Sequence, residues 1–352
     1  MIDLAPYRAW NSSALLVAEA GVNHEGDLEQ AQRMVREAAA AGAGAIKFQT
    51  YTAGRLATRA SRAYWDEGKE PTESQFELFS RYDRFGNDEY RRIAEQCERS
   101  GIAFMTSAFD VDSIDWLDDL VAAFKIASGD ITNVPLLTRV ARTRKPVLLS
   151  TGASTIDEIR EALVVLDREG SGEVAVLQCT LAYPTPIEDA AVGGLRDLAD
   201  AFPERVLGYS DHTVPPDSFT VIAAAYALGA RVVETHFTLD RSRPGNDHYH
   251  SFEPAELARL AADLEQLRAL IGPPVKQVLP VEEAARLGAR RSVVARTDIV
   301  RGTSLVPELL DVKRPGGGVP PVFLMDPDGW RAAVDIPEDS TIEWSMLERD
   351  GG

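Results

Sequence analysis

Residues 205–239, RVLGYSDHTVPPDSFTVIAAAYALGARVVETHFTL, decide the architecture. Arg205 to Asp211 is an apolar run of strand length that ends in Ser-Asp-His, Ser218 to Gly229 is an apolar helix, and Arg231 to Leu239 is a second apolar strand. This is a βαβ unit. In a parallel barrel its strands are neighbours about 5 Å apart, with His212 and His236 at or near their carboxyl ends, so the two imidazoles can share one cation. Four of the five histidines, His212, His236, His248 and His250, fall between Arg205 and Ser251. An isolated histidine at a strand end is ordinarily a satisfied polar residue. Here Asp211, Glu234 and Asp247 surround the pair, and the Arg243-Pro244-Gly245 turn is suited to hold a polar loop over the strand ends.

The same alternation extends towards the amino terminus. Short apolar runs at Leu15 to Gly21, Ala45 to Thr50, Ile102 to Ala108, Ala122 to Ser128, Pro146 to Gly152 and Val174 to Cys179 alternate with helical patterns such as Asp27 to Ala41, Asp88 to Ser100 and Thr155 to Glu169. Pro254 to Ile271 supplies the helix after the last strand. Eight βα units predict a closed (β/α)8 TIM barrel, and no Gly-x-Gly-x-x-Gly follows the first strand to argue for a dinucleotide fold. The connection Tyr51 to Gly86 is long and rich in aromatics, as lids and substrate loops are. The barrel is placed at residues 1–272 and a proline-stiffened linker at 273–288. A small β-rich domain follows at 289–352, where the composition changes and Arg314-Pro315-Gly316-Gly317-Gly318 forms a glycine-rich loop.

A net charge of −18 and a pI near 4.8 oppose binding to nucleic acid or an anionic membrane surface. Cys97 and Cys179, the two cysteines, provide neither a disulfide framework nor metal spacing, and with no apolar run near 18 residues the expected location is the cytoplasm.

In a barrel of this kind, polar residues at the carboxyl ends of strands are the catalytic candidates. The chain offers Glu19, Lys47, Gln49, Ser107, Lys125, Ser128, Ser150, Tyr183 and Ser210 at such positions. Two lysines inside apolar strands are costly to bury without a counter-charge. A bound dianion is therefore expected between Lys47 and Lys125, with serines as neutral donors, beside a cation on His212 and His236. Mixed imidazole and oxygen ligation suits a first-row ion better than calcium.

Several runs, read together and in order, carry a family resemblance: AEAGVNHEG (18–26), KFQT (47–50), KIASG (125–129), LSTG (149–152), CTLAYPT (179–185), SDHT (210–213) and HFT (236–238). The chain resembles the sialic acid synthases, which join phosphoenolpyruvate to an N-acylated hexosamine. Its tail, from Arg290-Arg291-Ser292 through Val312-Lys313-Arg314-Pro315-Gly316, is similar to that family's antifreeze-like (β-clip) domain.

The resemblance implies His212 and His236 as metal ligands, for manganese first and magnesium or cobalt as alternatives. It also implies Lys47, Ser107, Lys125, Ser128, Ser150 and Ser210 as the phosphoenolpyruvate shell, with Glu19 near the condensing carbons. Gln49, Tyr183, Glu234, Asp247 and Arg314 fall at positions around the sugar. A domain-swapped homodimer is implied as well, with Arg314 completing the partner's site. Two positions depart from the pattern: Leu181 stands where an asparagine is usual, and Asp130 where a glutamate is.

The acceptor implied is N-acetylmannosamine or a 2,4-diacetamido-trideoxyhexose, the latter leading to legionaminic or pseudaminic acid. The rival readings are a metal-dependent barrel hydrolase and a non-catalytic sugar-binding protein.

Overall fold

Eight parallel strands close into a barrel in the computed structural model of the chain, which describes residues 1–65, 68, 70–245 and 247–349. They are β1 (Leu15–Gly21), β2 (Ala45–Thr50), β3 (Ala103–Ala108), β4 (Ala123–Ile126), β5 (Val147–Ser150), β6 (Val174–Cys179), β7 (Val206–Asp211) and β8 (Val232–His236), and β8 pairs with β1 to close the ring. Sequence and structure differ most at the carboxyl ends of β4, β5 and β8, which finish earlier than the apolar runs suggest. There the chain leaves the ladder to build the active face, as where Ser128–Asp130 winds into a 3-10 turn.

The helices between strands have local causes. Asp27 caps Leu28–Ala40 by accepting from the amides of Glu29 and Gln30. Thr155 and Glu158 form a reciprocal capping box at the start of Ile156–Glu169, and Gly170, with φ of 86°, ends that helix in the left-handed conformation. The outward faces of these strands bury Ala18, Ile46, Phe48, Phe104, Phe124 and Leu149 against the helices.

The inward faces place the site. Val17, Ala45, Met105, Ala123, Leu148, Leu177 and Val232 fill the lower interior, sealed from the amino-terminal side by Leu4. Side chains alternate across a strand, so the residue two further on faces the same interior one layer higher. Those residues are Glu19, Lys47, Ser107, Lys125, Ser150, Cys179 and Glu234, all buried. An apolar floor thus carries a polar layer, and one period-2 rule produces both.

The chain divides into two compact units, Met1–Pro274 and Val275–Gly352. In the second, a 3-10 turn (Pro280–Glu282) and the helix Glu283–Ala289 occupy much of the stretch read as a linker. Beyond them β9 (Ser292–Ala295) pairs antiparallel with β10 (Leu310–Lys313), and β11 (Trp330–Ala332) with β12 (Leu347–Arg349). Val293, Ile299, Leu310, Val319, Ile336 and Ile342 are among its core residues. Among the described residues, no helix is long and apolar enough to cross a membrane.

Candidate active site

The polar layer faces a cavity of about 440 Å³ at the carboxyl end of the barrel. Its walls are loops: Tyr51, Tyr64 and Phe79 from the long connection after β2, Leu181 and Tyr183 after β6, and Asp247 and Tyr249 after β8.

At its floor, Lys47 Nζ lies 2.7 Å from Glu19 Oε2 and donates to Ser107 Oγ at 3.2 Å. Glu234 Oε1 lies 3.7 Å from both Lys47 Nζ and Lys125 Nζ, and accepts from Ser210 Oγ at 3.0 Å. The expectation of two lysines lacking a protein counter-charge is therefore corrected: Glu19 and Glu234 supply one. Closure of the barrel is the reason, because it brings β8 beside β1 and aims Glu234 across the interior at β2 and β4.

The two carboxylates differ. Burial raises Glu234, but Lys125 and Lys47 outweigh it and hold the group below the usual carboxylate range. Burial dominates at Glu19 and, against the opposing effect of Lys47, pushes its carboxyl up to about 7. Burial also lowers Lys125, with Glu234 opposing, whereas at Lys47 the carboxylates Glu19 and Glu234 prevail over burial and raise it.

The serines divide by commitment. Ser107 and Ser210 are engaged with Lys47 and Glu234. Ser128 Oγ accepts from the Gly152 amide at 3.0 Å and lies 3.8 Å from Cys179 Sγ. Ser150 Oγ is buried in the cavity wall with no hydrogen-bond partner among the described residues, as is Glu234 Oε2. Leaving such a group unsatisfied costs about 1–3 kcal/mol, which a ligand with a matching oxygen or hydroxyl relieves.

Of the residues expected around a sugar, Gln49 donates to Glu19 Oε1 at 3.1 Å, Tyr183 lays its ring 4.3 Å from that of His212, and Asp247 sits beside His236. Arg314 belongs to the second unit, where it is exposed at the end of β10. Of the two departures, Leu181 lines the cavity at 36% exposure and Asp130 lines it while accepting from Asn133 Nδ2 at 3.0 Å. His24 is structural: it stacks on Phe85 at 4.3 Å, and burial pushes it down to about 3.

The imidazoles of His212 and His236 lie 5.3 Å apart. His212 Nδ1 is 2.8 Å from the Thr180 carbonyl, a contact that requires Nδ1–H and leaves Nε2 as the nitrogen able to ligate. Burial pulls His212 down, but negative charge on the Cys179 sulfur and the Thr180 carbonyl outweigh it and raise the ring to about 9, so a cation bound there displaces a proton. Burial, reinforced by His250 and His212, holds His236 well below its ordinary value, so its lone pair is available at neutral pH. These donors fit a divalent cation of the first transition row. His250, given no role from the sequence, places its ring 4.6 Å from that of His236. The available signal was its spacing of three from Asp247, which puts both side chains on one face of a tight turn.

Comparisons with known proteins agree with this architecture. The NeuB family model matches residues 34–276 and the SAF domain model residues 290–348. The chain is similar to the N,N'-diacetyllegionaminic acid synthase of Legionella pneumophila, at 34% identity over 97% of this chain and 96% of that one. It is also similar to the N-acetylneuraminate-9-phosphate synthase of Homo sapiens, at 33% identity over 99% and 98%. Among solved structures, the N-acetylneuraminic acid (sialic acid) synthetase of Leptospira borgpetersenii serovar Hardjo-bovis, crystallised with citrate, superposes with a TM-score of 0.71 at 33% identity, covering 78% of this chain and 90% of that one. Matched by one family model over more than half its length and by such relatives over nearly all of it, the chain is an enzyme of the NeuB family.

Proposed function

We propose that the enzyme condenses phosphoenolpyruvate with the open-chain form of an uncharged N-acylated amino sugar, releasing phosphate and forming a nonulosonic acid. The observation that carries this reading is the buried floor of Lys47, Lys125 and Ser150, whose Oγ has no hydrogen-bond partner among the described residues: cationic groups and a donor converging on one cavity. Lys47 and Lys125 hold the anionic groups of phosphoenolpyruvate, and Ser107, Ser128, Ser150 and Ser210 surround them. Glu19, paired with Lys47, lies next to the condensing carbons. The enol carbon attacks the aldehyde, water adds to the resulting oxocarbenium, and carbon–oxygen cleavage releases phosphate. A divalent cation on His212 and His236, when bound, polarises the aldehyde as a Lewis acid. Gln49, Tyr183, Glu234 and Asp247 orient the sugar, and Arg314 of a second copy closes the site in a domain-swapped dimer.

The upper wall supports a choice of acceptor. Among the described lining residues of this copy the only lysine or arginine side chains are Lys47 and Lys125 at the floor, whereas Glu70, Asp130 and Asp247 are acidic and Leu56, Tyr64, Leu78, Phe79 and Leu181 are apolar or aromatic. Such a wall disfavours a phosphorylated sugar and suits N-acyl and deoxy groups, which favours a 2,4-diacetamido-trideoxyhexose over N-acetylmannosamine. The test is a panel of these two sugars and N-acetylmannosamine 6-phosphate, each with phosphoenolpyruvate, followed by phosphate release and product mass. Turnover of the diacetamido sugar with kcat/KM roughly tenfold or more above the phosphorylated one is expected, since like-charge juxtaposition costs several kcal/mol. A preference for the phosphorylated sugar overturns the acceptor assignment, and no phosphate release with any sugar overturns the reaction.

Glu19 gives a pH dependence whose sign is fixed. Its carboxyl, raised to about 7 by burial against the opposing pull of Lys47, becomes an anion as the pH rises through the neutral range. That added charge opposes the phosphoenolpyruvate anion. In chelator-treated protein the dissociation constant should therefore rise, by the order of tenfold between about pH 6 and about pH 8, relative to Glu19→Gln measured in parallel. The parallel titration cancels the ligand's own ionisation, and indistinguishable profiles would remove Glu19 from the anion's surroundings.

A further inference from the structure

We propose that His236, Asp247 and His250 together form a three-ligand cation site, so that His250 supplies an imidazole beyond the His212–His236 pair. The inference rests on the metal-dependent reading above and adds a ligand to it. One ligating atom from each residue can be chosen so that all three lie within 4.8 Å of one another. Asp247 spans the pair: its Oδ2 is 3.4 Å from His236 Nδ1 and its Oδ1 is 3.9 Å from His250 Nε2. Two atoms each about 2.1 Å from a tetrahedral ion lie about 3.4 Å apart. The first separation already matches and the second needs a small side-chain rotation.

Local structure explains the convergence. His248–His250 is a 3-10 turn with Asp247 at its amino end, and residues three apart eclipse one another in such a turn. The turn is tied to the end of β8 by the Phe252 amide donating to the His236 carbonyl at 2.8 Å and the Thr238 amide donating to the Phe252 carbonyl at 2.9 Å. Ser251 Oγ also donates to the Asp247 carbonyl at 2.6 Å, and His248 Nδ1 lies 2.7 Å from Thr238 Oγ1. Asp247 and His250 are thus carried on a braced segment of a kind that can hold ligands in register. His236 Nδ1 is buried without a hydrogen bond among the described residues, and a cation is the partner that its aim at Asp247 suits. Two imidazoles and one carboxylate select a first-row transition ion over magnesium or calcium.

The test uses the full chain, stripped with chelator and titrated with Co²⁺ alone while visible absorption is followed. The wild-type protein should bind Co²⁺, and His250→Ala should weaken that binding roughly tenfold or more. His250→Cys should retain binding and gain a thiolate-to-Co²⁺ charge-transfer band absent from the wild type, whose own Cys179 supplies the baseline. A merely structural histidine would not produce that band, and it decides the question even where His250→Ala folds poorly. A folded His250→Cys protein without the band, together with wild-type affinity in His250→Ala and lost binding in His212→Ala, overturns the third ligand and leaves the His212–His236 pair standing. No binding by the wild type overturns both.

Discussion

Lys125→Met should lower turnover between about 10²- and 10⁴-fold, with the barrel intact. Lys125 is fully enclosed, and Glu234, its counter-charge at 3.7 Å, is equally close to Lys47. Truncating one partner of a buried charged contact to a bound anion costs about 2–5 kcal/mol, and each 1.36 kcal/mol in the barrier is about tenfold in rate. The sign at the site reinforces this, since two carboxylates then face one lysine where an anionic substrate must dock. Lys47→Met should behave similarly and should also release Glu19 from its 2.7 Å contact. Methionine nearly matches lysine in volume, so unchanged circular dichroism with lost phosphoenolpyruvate affinity separates binding from folding. Either variant binding and reacting like the parent removes that lysine from the anion site. The same protein probes Arg314. Lys125→Met mixed with Arg314→Ala under subunit exchange should recover activity that neither has alone, because one hybrid mouth keeps both native residues. Verified mixed dimers as inactive as their parents would refute sharing.

Chelation of the wild-type enzyme, and separately His236→Ala, should each reduce turnover by about 10³-fold or more, as expected when several kcal/mol of carbonyl polarisation is withdrawn. His236 is the imidazole common to every cation arrangement available here, 5.3 Å from His212 and 4.6 Å from His250 by ring centroid. Adding Mn²⁺ or Co²⁺ back should restore the chelated wild type and leave His236→Ala inactive. The variant should stay folded, since the ring contributes to the cavity lining and leaves the apolar floor beneath it intact. Full activity under chelation would end the metal-dependent reading, whatever the variant does.

The strands of the barrel were legible because each carries its own instruction. In Ala45-Ile46-Lys47-Phe48-Gln49-Thr50 the apolar Ile46 and Phe48 face the helices, while Ala45 and Lys47 face the interior. That alternation needs no knowledge of any other strand. The helix starts at Asp27 and Thr155 were local in the same sense. The identities of the mouth residues followed, since a polar residue two places beyond a core residue lands one layer above it.

The amino-acid sequence by itself therefore determined the repeated βα units and the polar layer at their carboxyl ends. Only the tertiary structure decided which of those polar groups neutralise one another. Glu234 stands between Lys47 and Lys125 because closure of β8 onto β1 points it across the barrel, and no local pattern encodes a distance across a closed ring. Likewise His250 reaches His236 because the chain after β8 folds back and fastens Phe252 to the strand end. Periodicity describes how a segment faces its neighbours along the chain; the path of an irregular loop is set by hydrogen bonds and packing that exist only once the barrel has closed.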